Sequence, residues 1–405
     1  MFPVNSSTAL KHKLFTEDMP EPDSRSILHS QKLVKTIRGE CDQSPEGIPF
    51  SRFMQLALYA PGLGYYSGGL QKFGAAGDFI TSPEVSPLFS HCIARQVAQV
   101  FNEAGVANVL EFGAGSGLMA ADILLELERL QILPENYYIV ELSAELRGRQ
   151  KQTINDRAPN LIGTVQWLDA LPQQPVQGVI IANEVLDAMP VECFRIDDGA
   201  VEQLRVVNRD GHLKADYAQA DEAMVEQVRT IEQRRGKAFD DGYCSEFNPA
   251  IKAWLASLYA IVDKGLVLLI DYGYPVQEYY LDERDSGTLV CHYQHRAHAD
   301  PLWYPGLQDI TAFVDFSAVA HAAVDAGFEV SGYTSQAMFL LGCGLGELHQ
   351  AVASDDPRQQ LLLAQQIKTL TLPSEMGERF KAMALSKNID LSLIGFAMQD
   401  YRNRL

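Results

Sequence analysis

From Val106 onward, short unbroken apolar runs alternate with amphipathic stretches. ANVLEFGAG runs into glycines, LMAADILLELERL carries one apolar face, YYIVELS is a second apolar run and AELRGRQKQTI a second helical pattern. TVQWL follows more weakly. VQGVIIANEVLDAMP is stronger, with residues 179–182 apolar without alternation, and GLVLLIDYGYP at 265–275 repeats the signal. Continuous apolar strands separated by helices predict an α/β fold with a parallel sheet, because such strands bury both faces under the crossover helices.

The flanking segments read differently. Residues 1–30 are polar and proline-containing and predict a loose arm. Residues 31–105 predict a helical and glycine-rich cap. LVKTIRGE and SPEGIPFSRFMQLALYAP carry helical signals, with Phe53, Leu56 and Ala57 at i, i+3 and i+4 and Pro61 as the stop. GLGYYSGGLQKFGAAGDFITSPEVSPLF holds Gly62, Gly64, Gly68, Gly69, Gly74 and Gly77 and reads as a long functional loop. The helix after it ends at Gly105, as a C′ glycine would end it.

The first part of the sheet core is expected at 106–196 and the second at 262–405. Between them, 197–261 is expected as an insertion. VECFRI, AVEQLRVV and HLKADYA predict a β-meander turning at Asp198-Gly199 and Asp210-Gly211. NPAIKAWLASLYAIVDKG predicts a helix with Asn248 as N-cap, Pro249 at N1 and Gly265 at C′. Residues 276–310 are irregular and rich in Tyr, His and Arg, which predicts a substrate-facing lid loop. A helix over DFSAVAHAAVDAG, a strand over FEVSGYTSQ, a polar helical insertion at 345–375 and a closing strand over 378–386 complete the expectation.

Composition narrows the function classes. The 405 residues carry 33 Lys+Arg against 52 Asp+Glu, a formal charge of −19. Such a surface repels nucleic acid and anionic membrane, while suiting cationic groups on a partner protein. Six dispersed cysteines without a CxxC give no support to a zinc ribbon or thioredoxin-type site, and read as reduced, buried thiols. No apolar run approaches the ~18 residues of a membrane span. Glu17, Asp18, Glu21 and Asp23 near the start count against an acid-poor mitochondrial presequence, so a cytoplasmic location is expected.

The sharpest chemical signal is Leu110-Glu111-Phe112-Gly113-Ala114-Gly115-Ser116-Gly117, a GxGxG turn between strand and helix. Glycines there let backbone approach a ligand, and helix-start N–H groups attract anionic or polar groups. A nicotinamide fingerprint wants GxGxxG; Leu118 stands at its last position, so a dehydrogenase is a distant alternative. Glu111 before the turn is expected to meet an amino group. Glu141, with Leu142 beside it, ends the second strand and is expected to accept both ribose hydroxyls. Together they describe S-adenosylmethionine (SAM) across the carboxyl ends of the first two strands. Trp167-Leu168-Asp169 ends the third strand, where the aromatic is expected beside adenine with the acid on its exocyclic amine.

The fourth strand ends Asn183-Glu184-Val185-Leu186-Asp187, the position that faces the reacting centre in a doubly wound sheet. Glu184 and Asp187 are the candidate catalytic carboxylates, able to hold and deprotonate a cationic substrate; a plain helix cap is the alternative for Asn183 and Asp187. His292, His295 and His298 form HxxHxxH, but Pro301, Pro305 and the surrounding aromatics predict a loop rather than a metal-binding helix.

GAAGDFITSPEVSPLF (74–89), LEFGAGSG (110–117), ANEVLDAMPV (182–191), IDYGYP (270–275), GTLVCHYQHRAHADPLWYPGLQDITAFVDFSA (287–318) and GERFKAMALS (377–386) together resemble the MidA-like family of class I SAM-dependent methyltransferases. The resemblance spans about residues 30–390. It implies a Rossmann-like core of seven mostly parallel strands with an inserted α+β substrate-binding part. It also implies protein arginine symmetric dimethylation on a respiratory complex I subunit, as in the mitochondrial members. Asp78, Phe79, Thr81 and Ser82 are then expected to close over SAM, with Gly113, Ala114, Gly115, Gly117, Leu142, Leu168, Asn183 and Glu184 also contacting it. A homodimer is left open. The competing readings are a SAM-binding assembly chaperone with little turnover and a methyltransferase for another protein or a small molecule.

Overall fold

The computed structural model describes residues 19–68, 81–352 and 355–405. The chain divides into two units, one drawn from Ile80–Asp187, Ala250–Val276 and Val314–Leu405, the other from Met1–Phe79, Ala188–Pro249 and Gln277–Phe313.

The first unit is built on a sheet of strands β1 (Asn108–Phe112), β2 (Asn136–Val140), β3 (Val165–Leu168), β4 (Val176–Asn183), β5 (Val262–Tyr274), β6 (Glu329–Ser335) and β7 (Phe380–Lys387). Their order is 3-2-1-4-5-7-6, with the short strand Val314–Asp315 added beside the end of β5. Strands 1 to 5 run parallel, while β7 is antiparallel to both β5 and β6. The unbroken apolar runs lie where burial is complete: Val179, Ile181 and Leu266–Ile270 show no more than 0% exposure. The order reverses between β1 and β4, so the crevice of the sheet opens at their carboxyl ends, where Gly113 and Glu184 follow.

Two expected features differ. The helix before β5 is Ile251–Ile261 with Ala250 at its N-cap, and Gly265 lies inside β5 rather than after a helix. Gly265 has φ +146°, and a Cβ there would lie 1.8 Å from the carbonyl oxygen of Gly178 on β4. Its glycine therefore serves close strand pairing beside the irregularity at Val262/Lys264, not helix termination.

In the second unit, Asp23 accepts from the Ser26 N–H at 2.8 Å and starts a helix over Ser24–Cys41, inside the stretch expected as an arm. A second helix spans Phe50–Tyr59. The meander is present as Glu192–Asp197, Ala200–Arg209 and His212–Gln219, paired antiparallel, with Cys244–Phe247 beside the first strand and Ile48–Pro49 pairing with the second. The stretch around the three histidines is not irregular: Val290–Tyr293 pairs antiparallel with Arg296–His298 and Asp309–Thr311. Gln294 and His295, both at positive φ, make the tight turn that puts His292 and His298 on opposite strands. All six cysteines are free thiols.

Candidate active site

The glycine turn after β1 is made by backbone that few other residues adopt. Gly113, Gly115 and Gly117 have φ of +64°, +52° and +85°. A Cβ on Gly117 would lie 2.9 Å from the Cα of Gln150, and one on Gly113 would lie 3.0 Å from the Val185 side chain. The turn closes through Gly117 N–H to Ala114 carbonyl at 2.8 Å and opens the helix Leu118–Arg129. Ser116 donates to the Glu84 carboxylate at 2.6 Å, which ties the turn to the segment Ser82–Val85.

Glu141 follows β2. Its carboxylate accepts from the Ser143 N–H at 2.8 Å and from Gln150 Nε2 at 3.0 Å, so it is fixed while remaining partly exposed. Leu142 beside it is 80% exposed. Trp167 donates its indole N–H to Gln150 at 2.9 Å, and Leu168 accepts from the Glu141 N–H. Asp169 pairs with Arg147 while its side chain remains exposed.

At the end of β4, Glu184 takes φ +52°, a strained backbone for a side chain this long. Its N–H donates to Ile270 of β5, and its carboxylate accepts from the Ser82 N–H at 3.2 Å and from Asn183 Nδ2 at 3.1 Å. Asp187 is nearly buried and accepts from the Tyr272 hydroxyl at 2.6 Å. Asp271, unassigned by the sequence reading, is fully buried on β5. It accepts the N–H groups of Leu186 at 3.0 Å, Asp187 at 3.2 Å and Tyr272 at 2.9 Å. Burial, then the charges of Asp187 and Glu184, push its carboxyl well above the usual carboxylate range.

Several expectations change. Glu111 is wholly enclosed; its Oε2 accepts from Tyr137 at 2.7 Å, its Oε1 has no hydrogen-bond partner among the described residues, and burial raises its pKa to about 7. Asp187 is drawn toward Tyr272, leaving Glu184 as the more accessible of the two proposed carboxylates. Ser82 is buried, its N–H donating to the Glu184 carboxylate at 3.2 Å and its hydroxyl to Gln336 at 3.1 Å. Asp78 and Phe79 lie outside the described residues. Gln150 and Asp271 were missed, although an amide four residues before Ile154 on one helix, and an acid closing the run GLVLLI, were signals in the sequence.

Residues 92–334 match the family described as "putative S-adenosyl-L-methionine-dependent methyltransferase". The chain belongs to that family of methyltransferases. A Burkholderia thailandensis protein crystallised with S-adenosyl-homocysteine is 42% identical, with a TM-score of 0.91 over 96% of this chain and 100% of the other. The zebrafish (Danio rerio) protein arginine methyltransferase NDUFAF7, mitochondrial, is 30% identical over 82% of each chain. Its Drosophila melanogaster homologue is 28% identical over 91% of this chain and 88% of its own.

This methyltransferase therefore has the Rossmann-like core and uses SAM. The glycine turn and the fixed, partly exposed carboxylate of Glu141 suit a cofactor with a polar tail and a diol. The cytoplasmic expectation does not stand, because these curated relatives are mitochondrial proteins. No described helix is long and apolar enough to cross a membrane.

Proposed function

We propose that this methyltransferase transfers methyl groups to an arginine side chain of a protein, with symmetric dimethylation of a complex I-type subunit as the reaction implied by the family resemblance. The observation that carries the proposal is the acidic cluster after β4: Glu184 partly exposed, with Asp187 and Asp271 behind it. The curated relatives named as protein arginine methyltransferases support the same substrate class.

In this reading, Gly113, Ala114, Gly115, Gly117, Glu141, Leu142, Trp167, Leu168 and Asn183 hold SAM, with Thr81 and Ser82 at its edge. SAM supplies an electrophilic methyl group on a sulfonium. The chain's own task is to hold the nucleophile in line and to manage its proton. A guanidinium with a pKa above ~12 donates no lone pair until charge is localised on one nitrogen and a proton departs. Glu184, its carboxylate aimed by the Ser82 N–H and the Asn183 amide, holds the guanidinium through charged hydrogen bonds and accepts that proton. Asp187, oriented by Tyr272, and Asp271, through the N–H groups of Leu186 and Asp187, fix the turn that carries Glu184.

The test is mass spectrometry of protein methylation in cells with and without this protein, complemented by wild type or Glu184→Gln. Loss of a methylarginine that wild type restores and Glu184→Gln does not is the expected result. Unchanged arginine methylation alongside loss of a methyl mark on another residue type or a small molecule would overturn the arginine assignment.

A further inference from the structure

The geometry points to Gln150 as a positioning residue that presets the cofactor pocket for the ribose of SAM. This inference rests on the proposed role of Glu141 as the ribose ligand. Gln150 lies on the helix Ala144–Arg157, whose only buried residues are Gln150 and Ile154. Both positions face inward because they stand four apart. An apolar side chain would fill the inward slot at 150 without desolvation cost. An amide buried at 0% exposure is tolerated only if its polar atoms find partners.

They all do, and each partner belongs to the pocket. Nε2 donates to the Glu141 carboxylate at 3.0 Å and to the Gly115 carbonyl at 3.3 Å, while Oε1 accepts from the Trp167 indole at 2.9 Å. One side chain thus joins the end of β2, the glycine turn after β1 and the end of β3. The amide cannot be reversed, since its oxygen would then face the Glu141 carboxylate and its nitrogen would face the indole N–H. Arg147, one turn earlier on the same face, donates to the backbone carbonyl of Glu141 at 2.7 Å. Gln150 also approaches the glycine turn so closely that its Cα would sit 2.9 Å from any Cβ at position 117. The Glu141 carboxylate is therefore held by one donor from its own loop and one from Gln150, so the ligand meets an acceptor already aimed. Preorganisation of this kind raises affinity by removing the cost of ordering the side chain on binding.

A merely structural glutamine would weaken every ligand alike, whereas a residue acting through Glu141 affects only ligands that carry the diol. Calorimetric titration with S-adenosyl-homocysteine and with its 2′,3′-dideoxyribose analogue separates the two. In the wild type, S-adenosyl-homocysteine should bind more tightly than the analogue, and Glu141→Ala should abolish the difference. Gln150→Met keeps the volume and removes the hydrogen bonds; it should weaken S-adenosyl-homocysteine about tenfold or more while changing the analogue by less than about threefold. Gln150→Glu, which turns a donor toward Glu141 into a like charge, should do the same. Equal loss for both ligands, or no loss for either, overturns the inference. So does failure of both variants to fold, which would assign Gln150 to the core alone. If Glu141→Ala leaves the preference for the diol intact, the ribose assignment falls, and this inference with it. If Glu141→Ala abolishes the preference and Gln150→Met does not, only the role of Gln150 falls.

Discussion

Tyr272 donates its hydroxyl to the Asp187 carboxylate at 2.6 Å, while its backbone N–H goes to Asp271. The Tyr272 side chain therefore grips the turn after β4, and the adjacent Asp271 carboxylate takes the N–H groups of Leu186 and Asp187 in the same turn. Removing the hydroxyl in Tyr272→Phe leaves a nearly buried carboxylate short of a donor, which costs about 1–3 kcal/mol. Urea unfolding should show that loss, and S-adenosyl-homocysteine affinity should stay within about twofold, because Tyr272 is remote from the glycine turn in sequence and bonding.

Glu184→Gln retains shape and hydrogen-bonding reach but removes the charge and the proton acceptor. Methyl transfer to the cognate protein should fall by ~10²-fold or more while cofactor binding persists, the range expected when a general base is lost. Single-turnover methylation measures it, and full activity would remove Glu184 from the mechanism.

Because Glu184 holds φ +52°, Glu184→Gly relieves local strain while deleting the carboxylate. The variant should unfold at an equal or higher denaturant midpoint, by up to about 1 kcal/mol, and still fail to transfer methyl groups. A large drop in stability would show that the Ser82 and Asn183 contacts outweigh the backbone strain.

Gly115 has φ +52°, which a β-branched residue rarely adopts. Gly115→Val should shift the turn and cut S-adenosyl-homocysteine affinity by at least about tenfold, with roughly 1–2 kcal/mol of stability lost to the backbone alone. Calorimetry alongside thermal unfolding separates the two effects.

Glu111 carries a pKa raised from 4.5 to about 7 by complete burial. The folded state thus holds a proton that the unfolded chain releases between those two values. Stability from this group is present below about pH 4.5 and is lost as pH rises toward 7, by on the order of 3 kcal/mol. Glu111→Gln should remove that slope, so its stability relative to wild type should rise between pH 5 and about 7. A parallel pH profile for the two proteins would show that Glu111 is ionised in the fold.

The parallel sheet, the glycine turn and the carboxylates at the strand ends were legible because they are local. An unbroken apolar strand such as residues 179–182, a turn that requires positive φ at Gly113, Gly115 and Gly117, and an acid placed straight after a buried strand each state their role within a few residues. The family motifs carried the SAM chemistry in the same way. Only the tertiary structure decided which of several similar acids is enclosed, which is held in place and which is reachable. Glu111, Glu141, Glu184, Asp187 and Asp271 all close apolar runs or follow them, yet Glu111 is sealed against Tyr137 and Asp271 is spent on three backbone N–H groups. Gln150 reads as one more polar residue of a polar helix until packing brings Glu141, Gly115 and Trp167 around it from three separate strand ends. Burial and hydrogen bonding between segments far apart in the chain set these differences, and neither is encoded in the local pattern around any one of them.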